Sequence, residues 1–181
     1  MRPGRVLNDF TATDGREVIL RTPTLEDTDD LMELLNSFVE ENAEIASTTK
    51  VTRDQEAKFV SRIITKLERD ELFFLVAEVG GKVIASADIR ILHGDERHVG
   101  VLGAGVGRDL RGLGIGTQMM NTLIDQAAAL GLKVLTMQVF ATNKRAIHVY
   151  EKVGFVQTGR IPKKHYRDGR YIDEVIMTKL I

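Results

Sequence analysis

At 181 residues the chain has the length of one domain, and a single core of that size buries roughly 70% of the unfolded surface. Hydrophobic residues at 43% and charged residues at 28% exclude disordered, collagenous and membrane-spanning classes, and no apolar run approaches the ~20 residues a span needs. With 25 basic against 26 acidic residues the formal net charge is -1, which argues against a general nucleic-acid binder, and the lack of cysteine excludes disulfides, thiolate ligands and a cysteine nucleophile.

In chain order, residues 1–15 mix small and polar types and read as an irregular tail. No apolar segment follows Met1-Arg2-Pro3-Gly4, so no signal peptide is expected, and a cytoplasmic chain is the default. A short strand is predicted over Glu17–Thr22. Thr24-x-x-Asp27 then opens a helix with Leu31, Leu34, Leu35 and Phe38 on one face. Thr52-x-x-Gln55 opens a second, along which Phe59, Val60, Ile63, Ile64 and Leu67 recur at helical spacing. Leu72–Val79 and Lys82–Ile91 are strands joined by the hairpin signal Gly80-Gly81. A further strand, His98–Val106, leads through a glycine-rich link into a helix with Met120, Leu123, Ile124, Ala127 and Leu130 inward, closed by Gly131. Val134–Phe140 is a strand, Asn143–Lys152 a helix and Phe155–Arg160 a strand, and Asp168-Gly169 turns into a last strand, Arg170–Lys179. The order predicts one α/β domain over 1–181, with antiparallel strands first and strand-helix-strand units after them.

Two local imbalances stand out in the charge. Glu26–Glu44 holds eight acids (Glu26, Asp27, Asp29, Asp30, Glu33, Glu40, Glu41 and Glu44) and no base, while Arg160–Arg170 is basic. Both have solvated surface as their plain reading. The four histidines lack a His-x-x-x-His pairing, so no metal is expected.

The strongest local signal is the run from Gly107 to Gly116, between a predicted strand and a predicted helix. Its glycines let the backbone approach a ligand, and the first helical amides, with Arg108 and Arg111 nearby, favour an anion such as phosphate. A P-loop would need lysine where Leu113 stands. A dinucleotide fingerprint would need glycine or alanine where Thr117 or Leu110 stands.

Arg111-x-x-Gly114-x-Gly116 resembles the acyl-CoA motif of the GNAT N-acetyltransferase superfamily. Asn143-Lys144-Arg145-Ala146 through Tyr150 to Gly154-Phe155 is similar to its Asn-x-x-Ala-x-x-x-Tyr-x-x-x-Gly-Phe helix. The resemblance covers roughly residues 17–180. It implies a mostly antiparallel central sheet flanked by helices, with the family's fourth and fifth strands splayed. The pantetheine of acetyl-CoA would follow Ala104, Gly105 and Val106. Arg111 and the amides of Gly112, Leu113, Gly114, Ile115, Gly116 and Thr117 would hold the pyrophosphate, Asn143 would contact the cofactor, and Tyr150 would be the general acid.

Acetyl transfer needs a neutral amine, an oxyanion donor and a proton for the departing thiolate, and a tyrosine of ordinary pKa about 10 is matched to an alkyl thiol. Family members commonly carry a carboxylate base at the positions here occupied by Val101 and Gln138, neither of which can serve. Glu40, Glu41 and Glu44 in the loop before the second helix, or Asp173 and Glu174 on the last strand, are the candidate replacements, and none is singled out. The expected function is direct acetyl transfer to a primary amine, with a cationic acceptor suggested by the acidic run. A non-catalytic acyl-CoA-binding module is the alternative, and a nucleic-acid factor using Arg160–Arg170 is disfavoured by the net charge. No membrane partner is expected, and the resemblance leaves a homodimer open.

Overall fold

Apolar alternation builds the sheet. In β2 (Glu17–Arg21) and β4 (Lys82–Ile91) every second side chain is buried, whereas β3 (Leu72–Val79) is buried on both faces from Leu72 to Ala77. A strand buried on both faces must have layers above and below it. The computed structural model, which describes residues 1–45 and 47–181, supplies both. Helix α3 (Ile115–Ala129) packs Met119, Met120, Leu123 and Ala127 against Leu75, Ala85, Ile89 and Leu135 on one face. Helices α1 (Thr28–Glu40) and α2 (Arg53–Glu68) cover the other through Leu31, Val60 and Ile63 on Leu72, Phe74 and Val76. Each such side chain contributes about 1.5–3 kcal/mol on burial.

Eight strands form one sheet in the order β1-β2-β3-β4-β5-β6-β8-β7. The remaining strands are β1 (Val6–Thr11), β5 (Val99–Val106), β6 (Val134–Phe140), β7 (Val156–Arg167) and β8 (Arg170–Leu180), and α4 (Lys144–Lys152) lies between β6 and β7. Every neighbouring pair is antiparallel except β5 with β6, which run parallel. The mixed α/β architecture with a mostly antiparallel sheet is as the sequence predicts.

The N-terminal tail is a correction. Residues 6–11 are not irregular: they form β1, an edge strand paired with β2 in register Phe10↔Val18. The strand after α4 is also longer than the expected Phe155–Arg160. It continues through Pro162 to Arg167 by a bulge between Ile161 and His165, with Lys163 at φ 55°. Both predicted N-terminal signals are real. The Asp27 carboxylate accepts from the Thr24 amide at 2.7 Å, and Thr52 and Gln55 form a reciprocal capping box.

Candidate active site

Strands β5 and β6 pair only at Val99↔Val134, Gly100↔Leu135 and Val101↔Thr136. Beyond Val101 β5 stays paired with β4 alone, through Ala104, Gly105 and Val106, so one backbone edge of these residues faces the gap. This is the splay that the resemblance implies between the family's fourth and fifth strands.

The glycine-rich turn closes the end of the gap. Gly112 and Gly114 sit at φ +85° and +86°, a conformation side chains rarely adopt, and a Cβ at either would point into open space. The first amide of α3 with a helical acceptor is that of Gln118, bonded to the Gly114 carbonyl at 3.1 Å. Among the described residues the amides of Gly112, Leu113, Gly114, Ile115, Gly116 and Thr117 have no acceptor. Such a cluster at the positive end of a helix suits a phosphate group. The Arg111 side chain is engaged within the protein: its Nε donates to the Val106 carbonyl at 2.8 Å, and its terminal nitrogens pair with both carboxylate oxygens of Glu41.

On α4, Asn143 is the N-cap, its side-chain oxygen accepting from the Ala146 amide at 3.1 Å. Ala146, Ile147, Val149 and Val153 pack on the core, as does the half-buried Tyr150, whose ring lies 6.4 Å from that of Phe155. Burial raises the Tyr150 pKa, which keeps its hydroxyl protonated. No side-chain hydrogen bond engages that hydroxyl among the described residues.

Four of the five acids considered as substitutes for the missing base are visibly occupied. Glu40 pairs with Lys50 at 2.6 Å, Glu41 with Arg111, and Glu44 accepts from Thr142. Asp173 binds Arg160 at 2.7 Å and the Lys163 amide at 2.8 Å, and that amide and the guanidinium hold its pKa low. Glu174 is 5% exposed beside β6 and contacts His165 at 3.0 Å, but its second oxygen has no hydrogen bond.

Two other carboxylates, which the sequence reading does not single out, lie on the face covered by α1 and α2. Asp88 stands on β4 opposite Gly103 of β5, and Glu56 projects from α2 at 3% exposure. Both line a cavity of ≈170 Å³ whose remaining wall includes Leu34, Leu35, Phe38 and Phe74. Neither has a hydrogen-bond or ion-pair partner among the described residues. Burial pushes the Asp88 pKa up to about 6 against the opposing pull of Arg90, and burial alone raises Glu56. The signal for them lay in β3: a strand apolar on both faces means that the polar face of its neighbour β4 is covered too.

The family model described as Acetyltransferase (GNAT) family matches residues 29–155. The chain belongs to this family. It is 33% identical over 69 residues to an L-methionine sulfoximine/L-methionine sulfone acetyltransferase of Pseudomonas paraeruginosa, a match covering 38% of this chain and 40% of the relative. The match to that curated relative thus spans well under half its length. Solved GNAT structures align nearly end to end. A ribosomal-protein-alanine N-acetyltransferase of Brucella melitensis shares 27% identity at TM-score 0.80, covering 90% of this chain and 99% of that one. A Salmonella typhimurium acetyltransferase solved with acetyl-CoA gives TM-score 0.80 at 22% identity, covering 90% and 93%, and shows the likeness of fold. No helix of the described residues is long and apolar enough to cross a membrane.

Proposed function

We propose that the protein moves the acetyl group of acetyl-CoA onto a primary amine by direct transfer. The observation that carries this reading is the parting of β5 and β6 after three residue pairs, above a turn of six consecutive amides without acceptors among the described residues. In this reading the open edge of Ala104–Val106 aligns the pantetheine, and the amides of Gly112–Thr117 hold the pyrophosphate. Acetyl-CoA supplies an activated acyl group. The chain places it, keeps a tyrosine proton at hand and brings an amine to it. Asn143 shapes the start of α4 so that Tyr150, seven residues on, lies on the same helical face. The Tyr150 hydroxyl would deliver the proton the sulfur needs. With no cysteine in the chain, a thioester acyl-enzyme is unavailable.

Two of the proteins named above are, by their names, acetyltransferases of L-methionine sulfoximine or sulfone and of ribosomal-protein alanine. A panel of L-methionine sulfone, an alanine-initiated peptide, a lysine peptide and spermidine, scored by thiol release from acetyl-CoA, tests the activity without thiol background from the enzyme. Release with at least one amine is expected, and Tyr150→Phe should slow it by about 10²-fold while leaving thermal stabilisation by CoA intact. CoA stabilisation without release from any amine would overturn the enzymatic reading in favour of an acyl-CoA-binding module.

A further inference from the structure

Asp88 and Glu56 are the feature that the proposed acetyl transfer has not yet used. Two carboxylates in a mostly apolar cavity, with no donor among the described residues, are costly unless a cation joins them. The titratable or charged groups facing Asp88 are few: Glu56 from α2 and Arg90 from its own strand, which makes no ion pair with it, while the lining residues of α1 and β3 and the adjoining β5 residues Val101, Gly103 and Gly105 are uncharged. At ≈170 Å³ the cavity is below the roughly 300–1,000 Å³ of sites for whole drug-sized ligands. It is suited to the end of a chain, and an ammonium with three donors matches its chemistry.

Two of the lining residues, Ser86 and Asp88, pair with β5 beside the splay. A Cβ built on Gly103 would lie 2.9 Å from the Asp88 Oδ1, so the carboxylate lies over that glycine. Gly103 is past Val101, where β5 parts from β6, and Gly105 is the next residue on the same face. No β5 side chain therefore stands between Asp88 and the gap at Gly103. Continuing the register of Val101↔Thr136 puts Gln138 across the gap at the same level.

We propose that this cavity seats the ammonium of the acceptor and that Asp88 is the base that takes its proton, with Glu56 a positioning residue that strengthens the hold on the cation. The inference rests on the acetyl-transfer reading and adds the residue that receives the amine. One N–H bond of the ammonium breaks and its proton passes to the Asp88 carboxylate. The freed lone pair forms the N–C bond at the thioester carbonyl, the C–S bond breaks, and the sulfur takes the Tyr150 proton. A second proton, from the nitrogen now acylated, restores the Tyr150 hydroxyl through solvent, and Asp88 returns its own to water. Burial that lifts the Asp88 carboxyl toward neutrality makes it a stronger base than a surface aspartate while it remains ionised above pH 7.

The test separates binding from chemistry. With CoA present, n-butylamine is titrated while the amide resonances of Ser86–Asp88 and Gly103 are followed by NMR. Saturable shifts are expected in the wild type, weakened at least tenfold in Asp88→Asn and less in Glu56→Gln, with CoA stabilisation equal in all three. Gly103→Ala, whose methyl must displace the Asp88 carboxylate, should weaken the amine likewise without removing a charge. For any amine accepted in the panel, Asp88→Asn should lower kcat/KM about 10²-fold and move the rising pH limb toward the amine's own pKa, and Asp88→Glu should restore part of the rate. n-Butylamine shifts that are absent in the wild type or unaltered in Asp88→Asn, or unchanged kcat/KM and pH limb in that variant, overturn the assignment. Binding that depends on Asp88 without thiol release from any amine would instead overturn the acetyl-transfer reading and leave the ammonium seat standing.

Discussion

The acidic run on α1 and the two acids in the adjoining cavity make opposite use of the same functional group. Along the run nearly every carboxylate has a partner: Asp27 is bidentate to Arg21 at 2.7 Å, Asp29 meets Arg53, Asp30 accepts from the Val83 amide, and Glu33 binds Lys82. Glu40, Glu41 and Glu44 complete the series with Lys50, Arg111 and Thr142. A run that looks in sequence like an electrostatic lure for a cationic substrate is a set of ties that fasten α1 to the sheet, to the start of α2 and to the glycine-rich turn. Asp88 and Glu56, which lie outside that run, line one cavity together and have no cation paired with them among the described residues. Local density of charge says little about which charges are available; the partner on the other element decides.

The contrast can be broken from either side. The largest effect is expected where unpartnered donors await an anion. Gly114→Asp or Gly116→Asp places a carboxylate among the amides of the turn and, at Gly114, forces a side chain into φ +86°, so stabilisation by CoA in a thermal melt should vanish. A shift equal to that of the parent would move the cofactor elsewhere.

Next comes the most buried tie of the run. Asp27 is 6% exposed, and although burial works against its ionised form, Arg21 and the Thr24 amide hold its pKa down. Asp27→Ala strands Arg21 with Glu78 alone, and chemical denaturation should report a loss of about 3–5 kcal/mol at pH 7. The Asp27 contribution is present above the ordinary aspartate pKa and fades as pH falls through its lowered value.

The sign reverses at Asp88. Its folded pKa, about 6, exceeds the ordinary 3.8, so its penalty is absent below pH 4, grows between pH 4 and 6, and is full above. Asp88→Asn should therefore stabilise the fold at pH 7.5, by roughly 1–3 kcal/mol, with the gain shrinking toward pH 4. Stability gained where rate is lost is the pattern expected of a group kept for function. Equal denaturation midpoints at pH 7.5 would remove that argument. The smallest effect belongs to the exposed ties: Glu33→Gln should cost under about 1 kcal/mol, less still in high salt.

Much of the frame was readable because the signals were local. The Gly80-Gly81 hairpin, the Thr52 capping box and the glycine-rich strand-helix turn each declare themselves within a few residues. What escaped depended on distant parts of the chain. Strand β1 alternates weakly because Asn8 and Asp9 sit on a half-exposed edge, so only pairing with β2 defines it. Pro162 reads as a strand breaker, yet a bulge on an edge strand accommodates it, since β7 is the last strand of the sheet. Asp88 reads as solvent-facing between Ala87 and Ile89, because the helices that cover it come from residues 28–68. Val101 and Gln138 carry no carboxylate, and the motif that marks these positions says nothing of the acids on the neighbouring strand, where the proposed base Asp88 stands.

The parallel seam between β5 and β6 has a consequence for how the chain could be divided. Strands β1–β5 with α3 come entirely before Gly131, and β6, β7 and β8 entirely after it, so neither slab borrows a strand from the other. They adjoin in the sheet through three residue pairs, of the parallel kind that is slightly the weaker per residue. Cutting the peptide between Leu130 and Val134 would separate no antiparallel partners. The two pieces have the layout of a split protein: each keeps its own ladders, and what they must rediscover on mixing is the seam and the packing of α3 beside it. The gap proposed to admit the cofactor is thus also the natural line along which this molecule could be taken apart and put together again.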